Sequence, residues 1–226
     1  MTPESTAPHA PAPFDLDQTD RLLSTTRAVR RRLDIERPVE REVLLDCIRI
    51  SQQAPTPSNS QTWRWMIVTD PAKRTALAEM YRSGGMGYLE QAAQNLDQDG
   101  QTHRVYESAL WLARNLEKVP VHVVPCLEGR LGDNTPAMLW ASMLGGVFPA
   151  VWSFQLALRS RGLGSTLTTL HLFKEQEAAE LLGIPDTVMQ VGLLPVAYTK
   201  GTEFKPAERP AAESIVHWDT WAAKGT

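Results

Sequence analysis

Between Asn134 and Leu158 the sequence runs for 25 residues without a charged side chain. No other feature limits the fold as strongly. A membrane-spanning helix needs ~20 mostly apolar residues, so the stretch is long enough to be one. It is broken up, however, by Pro136, Ser142, Gly145, Gly146, Pro149, Ser153 and Gln155. A helix buried on all sides by protein explains both its length and its polar interruptions. The reading is a chain that is not membrane-bound, built around a buried helix, with an anchor at 134–158 as the competing expectation.

Composition supports a folded chain. Of 226 residues, 42% are hydrophobic and 22% charged, which permits a sizeable core in one domain. The 23 basic and 26 acidic residues leave a formal charge of −3. That balance argues against a broad nucleic-acid or anionic-membrane surface, though it permits a local basic patch. Cys47 and Cys126 are too few for a disulfide framework or a zinc site. They fit a reducing, cytoplasmic compartment, and no secretory signal pattern opens the sequence.

Residues 1–14 are proline-rich and read as a disordered tail; 15–226 read as a single domain. A helix is expected from Asp15–Asp20 to Thr25–Thr26. Pro38 suits a helix start, followed by apolar residues at helical spacing over 39–53. Ala54-Pro55-Thr56-Pro57-Ser58-Asn59-Ser60 breaks that helix. Trp63–Val68 reads as a strand, and Asp70-Pro71 opens a helix to about Tyr81. Ser83-Gly84-Gly85-Met86-Gly87 reads as a flexible break, 91–101 as an exposed loop and 102–117 as a helix. Val119–Leu127 reads as a strand held to an edge, or restricted in its pairing, by Pro120 and Pro125. The uncharged helix runs to about Arg161 and stops at Gly162 and Gly164. Ser165–Leu170 reads as extended, Lys174–Leu182 as a helix ended by Gly183, and Val188–Tyr198 as one long strand. This irregular alternation indicates α+β with a mixed sheet.

Familiar catalytic signatures are missing. There is no G-x-G-x-x-G, P-loop, H-E-x-x-H, C-x-x-C or G-x-S-x-G. His9, His103, His122, His171 and His217 are scattered, so each reads as a surface or satisfied core residue, and no metal site is expected.

Four other clusters remain. Arg27, Arg30, Arg31 and Arg32 place four guanidinium groups in six residues. If that segment is helical, Arg27, Arg30 and Arg31 share one face, which is either a solvated surface or a phosphate site. Ala54–Trp63 is a rigid loop crowded with small donors and acceptors; it is a turn, or a binder of the polar edge of a heteroaromatic ring. Gly162–His171 reads as turn and strand, or as a segment that a ligand approaches closely. Gly192–Tyr198 is followed by Phe204–Pro210, which carries Lys205 and Arg209.

In this order and at these separations, T-T-R-A-V-R, A-P-T-P-S-N-S-Q-T-W, G-L-G-S-T-L-T-T-L-H and G-L-L-P-V-A-Y…F-K-P-A-E-R-P together resemble the FMN-dependent nitroreductase family, from about Thr25 to Trp221. The resemblance implies an α+β fold with a central mixed β-sheet flanked by helices. It also implies an intertwined homodimer with FMN at the interface and the uncharged helix at its centre. Carried over by position, Arg27 and Arg209 would bind the FMN phosphate, with Lys205 assisting. Ala28 and Val29 lie in the same motif, and Arg30 would stand at the flavin pyrimidine edge. Pro55, Thr56, Pro57, Ser58 and Asn59 would meet the ring from the other subunit, with Gln61 ordering that loop. Leu167, Thr168 and Thr169 would face the reactive nitrogen, offering a backbone N–H or a hydroxyl. Two positions depart from the pattern. Ala28 replaces a common Ser, removing a phosphate hydrogen bond worth ~1.5–3 kcal/mol, or less if Thr25, Thr26 or water substitutes. Thr62 replaces the common Pro of Q-P-W.

The implied activity is a ping-pong transfer of electrons from NADH or NADPH through FMN to a nitroaromatic, quinone or similar electron-poor acceptor. The cofactor carries the chemistry, so no protein nucleophile is required. Tyr81, Met86, Tyr88 and Phe204 are candidates for the substrate border. Relatives that reduce enones or dehalogenate aromatic rings are an alternative, as is a flavin-binding, redox-sensing protein without turnover.

Overall fold

The computed structural model of this chain describes residues 13–94, 100–132 and 134–221. Most of the expected tail, residues 1–12, lies outside the described residues. Contacts divide the chain into two compact units, 1–26 with 203–226, and 27–202.

The first unit contains α1 (Leu16–Thr25). Asp15 caps it by accepting from the Gln18 N–H at 3.0 Å, which satisfies one of the orphan donors of the first turn. Arg21 pairs with Glu203 at 3.0 Å. His217 stacks on Trp221, with ring centroids 4.7 Å apart.

The second unit is a five-stranded sheet with helices. It comprises α2 (Arg41–Ser51), β1 (Trp63–Val68), α3 (Pro71–Gln94), α4 (Gln101–Asn115), β2 (Val121–Glu128), α5 (Ala137–Ser160), β3 (Leu163–Ser165), α6 (Glu175–Leu182), β4 (Val188–Gln190) and β5 (Leu194–Tyr198). The strand order is β1-β2-β5-β3, with β4 also paired to β2. The ladders are antiparallel; a parallel pairing is the isolated bridge Gly129–Val188. This is the α+β fold expected from the sequence.

Several expectations are corrected. The segment 83–87 is no break: α3 runs unbroken through it. Its glycines serve close packing. A Cβ on Gly84 would lie 2.7 Å from the Phe173 Cβ, and one on Gly85 would lie 2.5 Å from a Leu170 methyl carbon. Residues 91–94 likewise belong to α3, and 101 opens α4; of the expected loop Gly100 lies outside a helix, and 95–99 lie outside the described residues. The helix expected over 39–53 is α2, which begins later, with Glu40 as its N-cap and Pro38 ahead of it. Ser165–Leu170 is extended only in part, because a 3-10 turn occupies Leu170–Lys174.

The expected strand 188–198 is two strands. β4 and β5 pair with β2 in registers that differ by one residue, so the chain bulges at 191–193. The bulge also explains why β2 is central although it contains Pro125. The Glu128 N–H bonds Thr62 O at 2.8 Å, which fixes the alternation of the β1–β2 ladder. Trp65 and Pro125 are therefore a non-hydrogen-bonded pair. The absent proline N–H faces the bulge, where no regular ladder bond is lost.

The core lies between α5, α2 and the sheet. Val147, Ala150, Val151, Phe154 and Leu158 of α5 are at most 1% exposed and pack with Leu44, Cys47, Val123 and Leu194. The other side of α5 is open in the single chain: Met138 is 69% exposed and Trp152 42%. Within one chain, burial reaches one face of α5. By length and composition α5 could cross a bilayer, yet its second half fills a protein core.

Candidate functional site

The arginine-rich segment is not helical. Residues 27–29 have no regular secondary structure and Arg30 opens a bend, with the Leu33 N–H donating back to Arg30 O at 3.1 Å. The Val29 N–H donates to Ser165 O at 2.9 Å, the Asp34 N–H to Tyr198 O at 2.8 Å and the Lys200 N–H to Arg32 O at 2.8 Å. Gly164 makes this crossing possible. A Cβ there would sit 2.9 Å from the Val29 Cβ and 2.7 Å from a Thr199 carbon. The close approach that Gly164 serves is thus by the chain itself, not by a ligand.

The arginines consequently separate in role. Arg31 pairs with Glu107 at 3.1 Å, and Arg32 donates to Lys200 O. Arg30 turns inward and donates to the Ser108 hydroxyl at 3.2 Å. Its pKa is lowered, chiefly by burial and further by Arg27, against a raising contribution from Tyr81. Arg30 is thus a half-buried cation bonded to a neutral hydroxyl, with a like charge near by. Such an arrangement favours an anionic or electron-rich ligand. Arg27 and Ala28 are exposed and Val29 is buried.

Leu167, Thr168 and Thr169 lie beside this segment. Thr168 exchanges both backbone hydrogen bonds with Leu193, at 3.0 and 2.8 Å. The bulge therefore returns Leu193 to clamp Thr168. The Thr168 hydroxyl donates to the Tyr81 hydroxyl at 3.0 Å, so both Thr168 donors are engaged within the protein. Leu167 is 37% exposed and Thr169 is also exposed. Tyr81 is 3% exposed, and burial raises its pKa, opposed by Thr168 and Arg30. It is an uncharged phenol at neutral pH. Tyr81 therefore belongs to the buried face of α3, with Leu77, Ala78, Gly85 and Leu89. Helical spacing makes that face legible, but not the hydroxyl's partner across the fold.

The 55–61 loop packs elsewhere in the same unit. Pro57 lies so close to α5 that a Cβ on Gly146 would sit 2.9 Å from its ring. Thr56, Pro57, Ser60, Thr62, Met143 and Gly146 help line a cleft of about 160 Å³. Ser58, Asn59 and Gln61 have φ of 51°, 54° and 48°, a left-handed run unusual outside glycine. Local bonds hold it. Gln61 donates its side-chain amide to Asn59 Oδ1 at 3.0 Å and its N–H to the Thr56 hydroxyl at 3.4 Å. Such local strain is characteristic of ligand-facing loops. Pro55 is exposed.

Lys205 and Arg209 belong to the first unit and are exposed; Arg209 donates to Glu208 O. Among the described residues no group of His, Cys, Asp and Glu is arranged to hold a metal. The histidines bring one correction. His122 and His171 are fully buried; His122 Nε2 bonds Leu116 O at 2.9 Å, His122 Nδ1 has no hydrogen-bond partner among the described residues, and His171 lies against the Gln190 side chain. Both are core residues, and His122 has one ring nitrogen bonded and one not.

A family model described as the nitroreductase family matches residues 23–198. The iodotyrosine deiodinase of Thermotoga neapolitana is 25% identical over 199 residues, covering 88% of this chain and 97% of that protein. A protein named NADH dehydrogenase from Thermus thermophilus is 25% identical over 215 residues, covering 90% of this chain and all of that protein. Among solved structures, an oxidised iodotyrosine deiodinase bound to FMN and 3-iodo-L-tyrosine aligns with a TM-score of 0.65. It is 23% identical and covers 88% of this chain and 98% of the other.

Proposed function

Because the chain belongs to the nitroreductase family, we propose that it is an FMN-dependent oxidoreductase that takes electrons from NAD(P)H and delivers them to a nitroaromatic, quinone or similar electron-poor acceptor. The observation that carries this reading is Arg30, a half-buried guanidinium beside Arg27 and bonded to a neutral hydroxyl. It suits the electron-rich edge of a flavin. When bound, FMN supplies the hydride-accepting chemistry, so the protein's task is to bind, orient and tune.

Arg27 would take the phosphate charge, with Ala28 and Val29 bringing the backbone alongside. Leu167, Thr168 and Thr169 would face the ring. Because both Thr168 donors are engaged, Thr169 would offer the hydrogen bond there. Pro55, Thr56, Pro57, Ser58, Asn59 and Gln61 would meet the ring of a second copy. Lys205 and Arg209 are proposed as anion ligands on their residue chemistry alone. The exposed side of α5, with Met138, Ala141, Gly145, Pro149 and Trp152, supports a homodimer: these residues recur at helical spacing and are apolar or lack a side chain. A cytoplasmic location fits the same proposal.

The named NADH dehydrogenase relative supports a nicotinamide donor. The deiodinase relative favours a second reading, reductive removal of halogen from an aromatic ring with the same flavin. Purified protein should be yellow, and anaerobic NADH or NADPH should bleach it. A colourless protein that refuses added FMN defeats the proposal. A yellow protein that neither nicotinamide bleaches leaves a flavin-binding protein only. Turnover of nitroaromatics against iodotyrosine under the same donor separates the two readings.

A further inference from the structure

Arg30 and Arg31 are consecutive, and they tie their segment to two consecutive residues of α4. Arg31 pairs with the Glu107 carboxylate at 3.1 Å, and both side chains are exposed. Arg30 is half-buried and donates to the Ser108 hydroxyl at 3.2 Å. The partners are divided against expectation. A cation drawn out of water is ordinarily matched by an opposite charge, yet here the more exposed arginine holds the carboxylate and the less exposed one a neutral oxygen. The Ser108 hydroxyl is oriented for this part. Its proton goes to Val105 O at 2.8 Å, one turn back along α4, so it presents lone pairs to Arg30. Ala109, Leu112 and Ala113, all buried, seat α4 against the fold. Arg30 is also fixed at its backbone: the Val29 N–H donates to Ser165 O at 2.9 Å and the Leu33 N–H to Arg30 O at 3.1 Å. Backbone and guanidinium are thus each held, and the Ser108 tie neutralises no charge.

We propose that Ser108 is a positioning residue whose neutral oxygen orients the Arg30 guanidinium while leaving its positive charge available to a reduced flavin, and that it thereby raises the flavin's potential. This inference rests on the flavin reading above. A carboxylate in place of the hydroxyl would hold the guanidinium equally well, but it would also oppose the guanidinium's field. A preorganised charge stabilises charge that develops beside it, and a nearer opposite charge diminishes that effect.

The test uses the full chain loaded with FMN and reads the midpoint potential. In Ser108→Asp the ratio of affinities for reduced and oxidised FMN should fall about tenfold, which for a two-electron couple lowers the potential by ~30 mV. Ser108→Ala leaves the guanidinium without its guide and should lower the potential by less, whereas Ser108→Thr keeps the oxygen and should hold the wild-type value. Glu107→Gln weakens the neighbouring tie of the same segment to α4. It should leave the potential in place, because an exposed pair is screened by water. A shift in Glu107→Gln as large as that in Ser108→Asp would reduce Ser108 to one of two staples and overturn the proposal. An unmoved or raised potential in FMN-loaded Ser108→Asp overturns it as well. If that variant does not fold, an unmoved potential in Ser108→Ala overturns it instead. A wild-type chain that binds no FMN overturns the flavin reading and this inference together; wild-type binding with unmoved Ser108 variants overturns this inference alone.

Discussion

Two kinds of residue reveal the chemistry of this molecule, cations that are desolvated and imidazoles that are buried. Arg30 donates to the neutral Ser108 hydroxyl at 3.2 Å. Replacing it by Ala should weaken FMN binding by roughly 10- to 100-fold, the loss of a charged hydrogen bond of ~1.5–3 kcal/mol. Titration of FMN against the variant measures this, and chemical denaturation should show a much smaller change in folding. Equal losses would make Arg30 a structural residue. His122 and His171 carry a separate prediction. Burial pushes each down to about 4 from an ordinary 6.5. The folded state therefore keeps both neutral, while the unfolded chain takes up protons as pH falls below about 6.5. Stability is complete above that pH and is lost progressively towards pH 4, by on the order of 3 kcal/mol for each imidazole. Urea midpoints between pH 7 and pH 4.5 test this; a flat profile in His122→Leu/His171→Leu beside a falling wild-type profile assigns the loss to these two residues. The arginines are legible in the sequence because charge concentrates there. The histidines' burial is not, because it depends on what β2, the Leu170–Lys174 turn and Gln190 bring near them.

At the scale of elements, the most informative misreading is Gly84-Gly85-Met86-Gly87. Three glycines in four residues resemble a hinge, and yet they lie in the middle of α3. Glycine in a helix interior costs ~1 kcal/mol against alanine, so two of the three must be needed for another reason. That reason is the Leu170–Phe173 turn, which touches the helix backbone. Gly84→Ala or Gly85→Ala should therefore destabilise the fold. The gain in propensity of ~1 kcal/mol is outweighed where overpacking reaches the upper part of its ~1–3 kcal/mol range. Gly87 has nothing within 4 Å of a built Cβ, so Gly87→Ala should stabilise by ~0.5–1 kcal/mol. Thermal melts of the set check the pattern, and stabilisation by Gly85→Ala would contradict it. A similar limit applies to Pro125. Proline in a strand reads as an edge, but here a bulge in the neighbouring strand absorbs the missing donor. Periodicity along one chain carries no information about a bulge in another. By contrast, Trp63–Val68, the Gly183 stop and the extent of α5 are legible, because each rests on local pattern.

For the whole molecule, the uncharged stretch poses one question with two halves. One face of α5 is the core; the other is apolar and exposed in a single chain. If a second copy covers that face, Ala141→Glu should yield a monomer on analytical ultracentrifugation, because a buried, unpaired carboxylate is costly to desolvate. Under the proposal that both copies touch each flavin, the same variant should lose FMN as it loses its partner. A monomer that still binds FMN tightly would separate assembly from the site.

Gly145 and Gly146 add a last consequence. Gly145 is exposed with open space at its Cβ position, and Gly146 is buried against Pro57. At this level α5 is a wall only one backbone thick, bare towards the outside and bare towards the strained loop. At Gly145 itself, whatever presses on the outer surface meets no side chain that could rotate to absorb it. Pro57, next to the loop's left-handed residues, stands against Gly146, so a neighbour's fit on this turn of α5 would be felt by the loop.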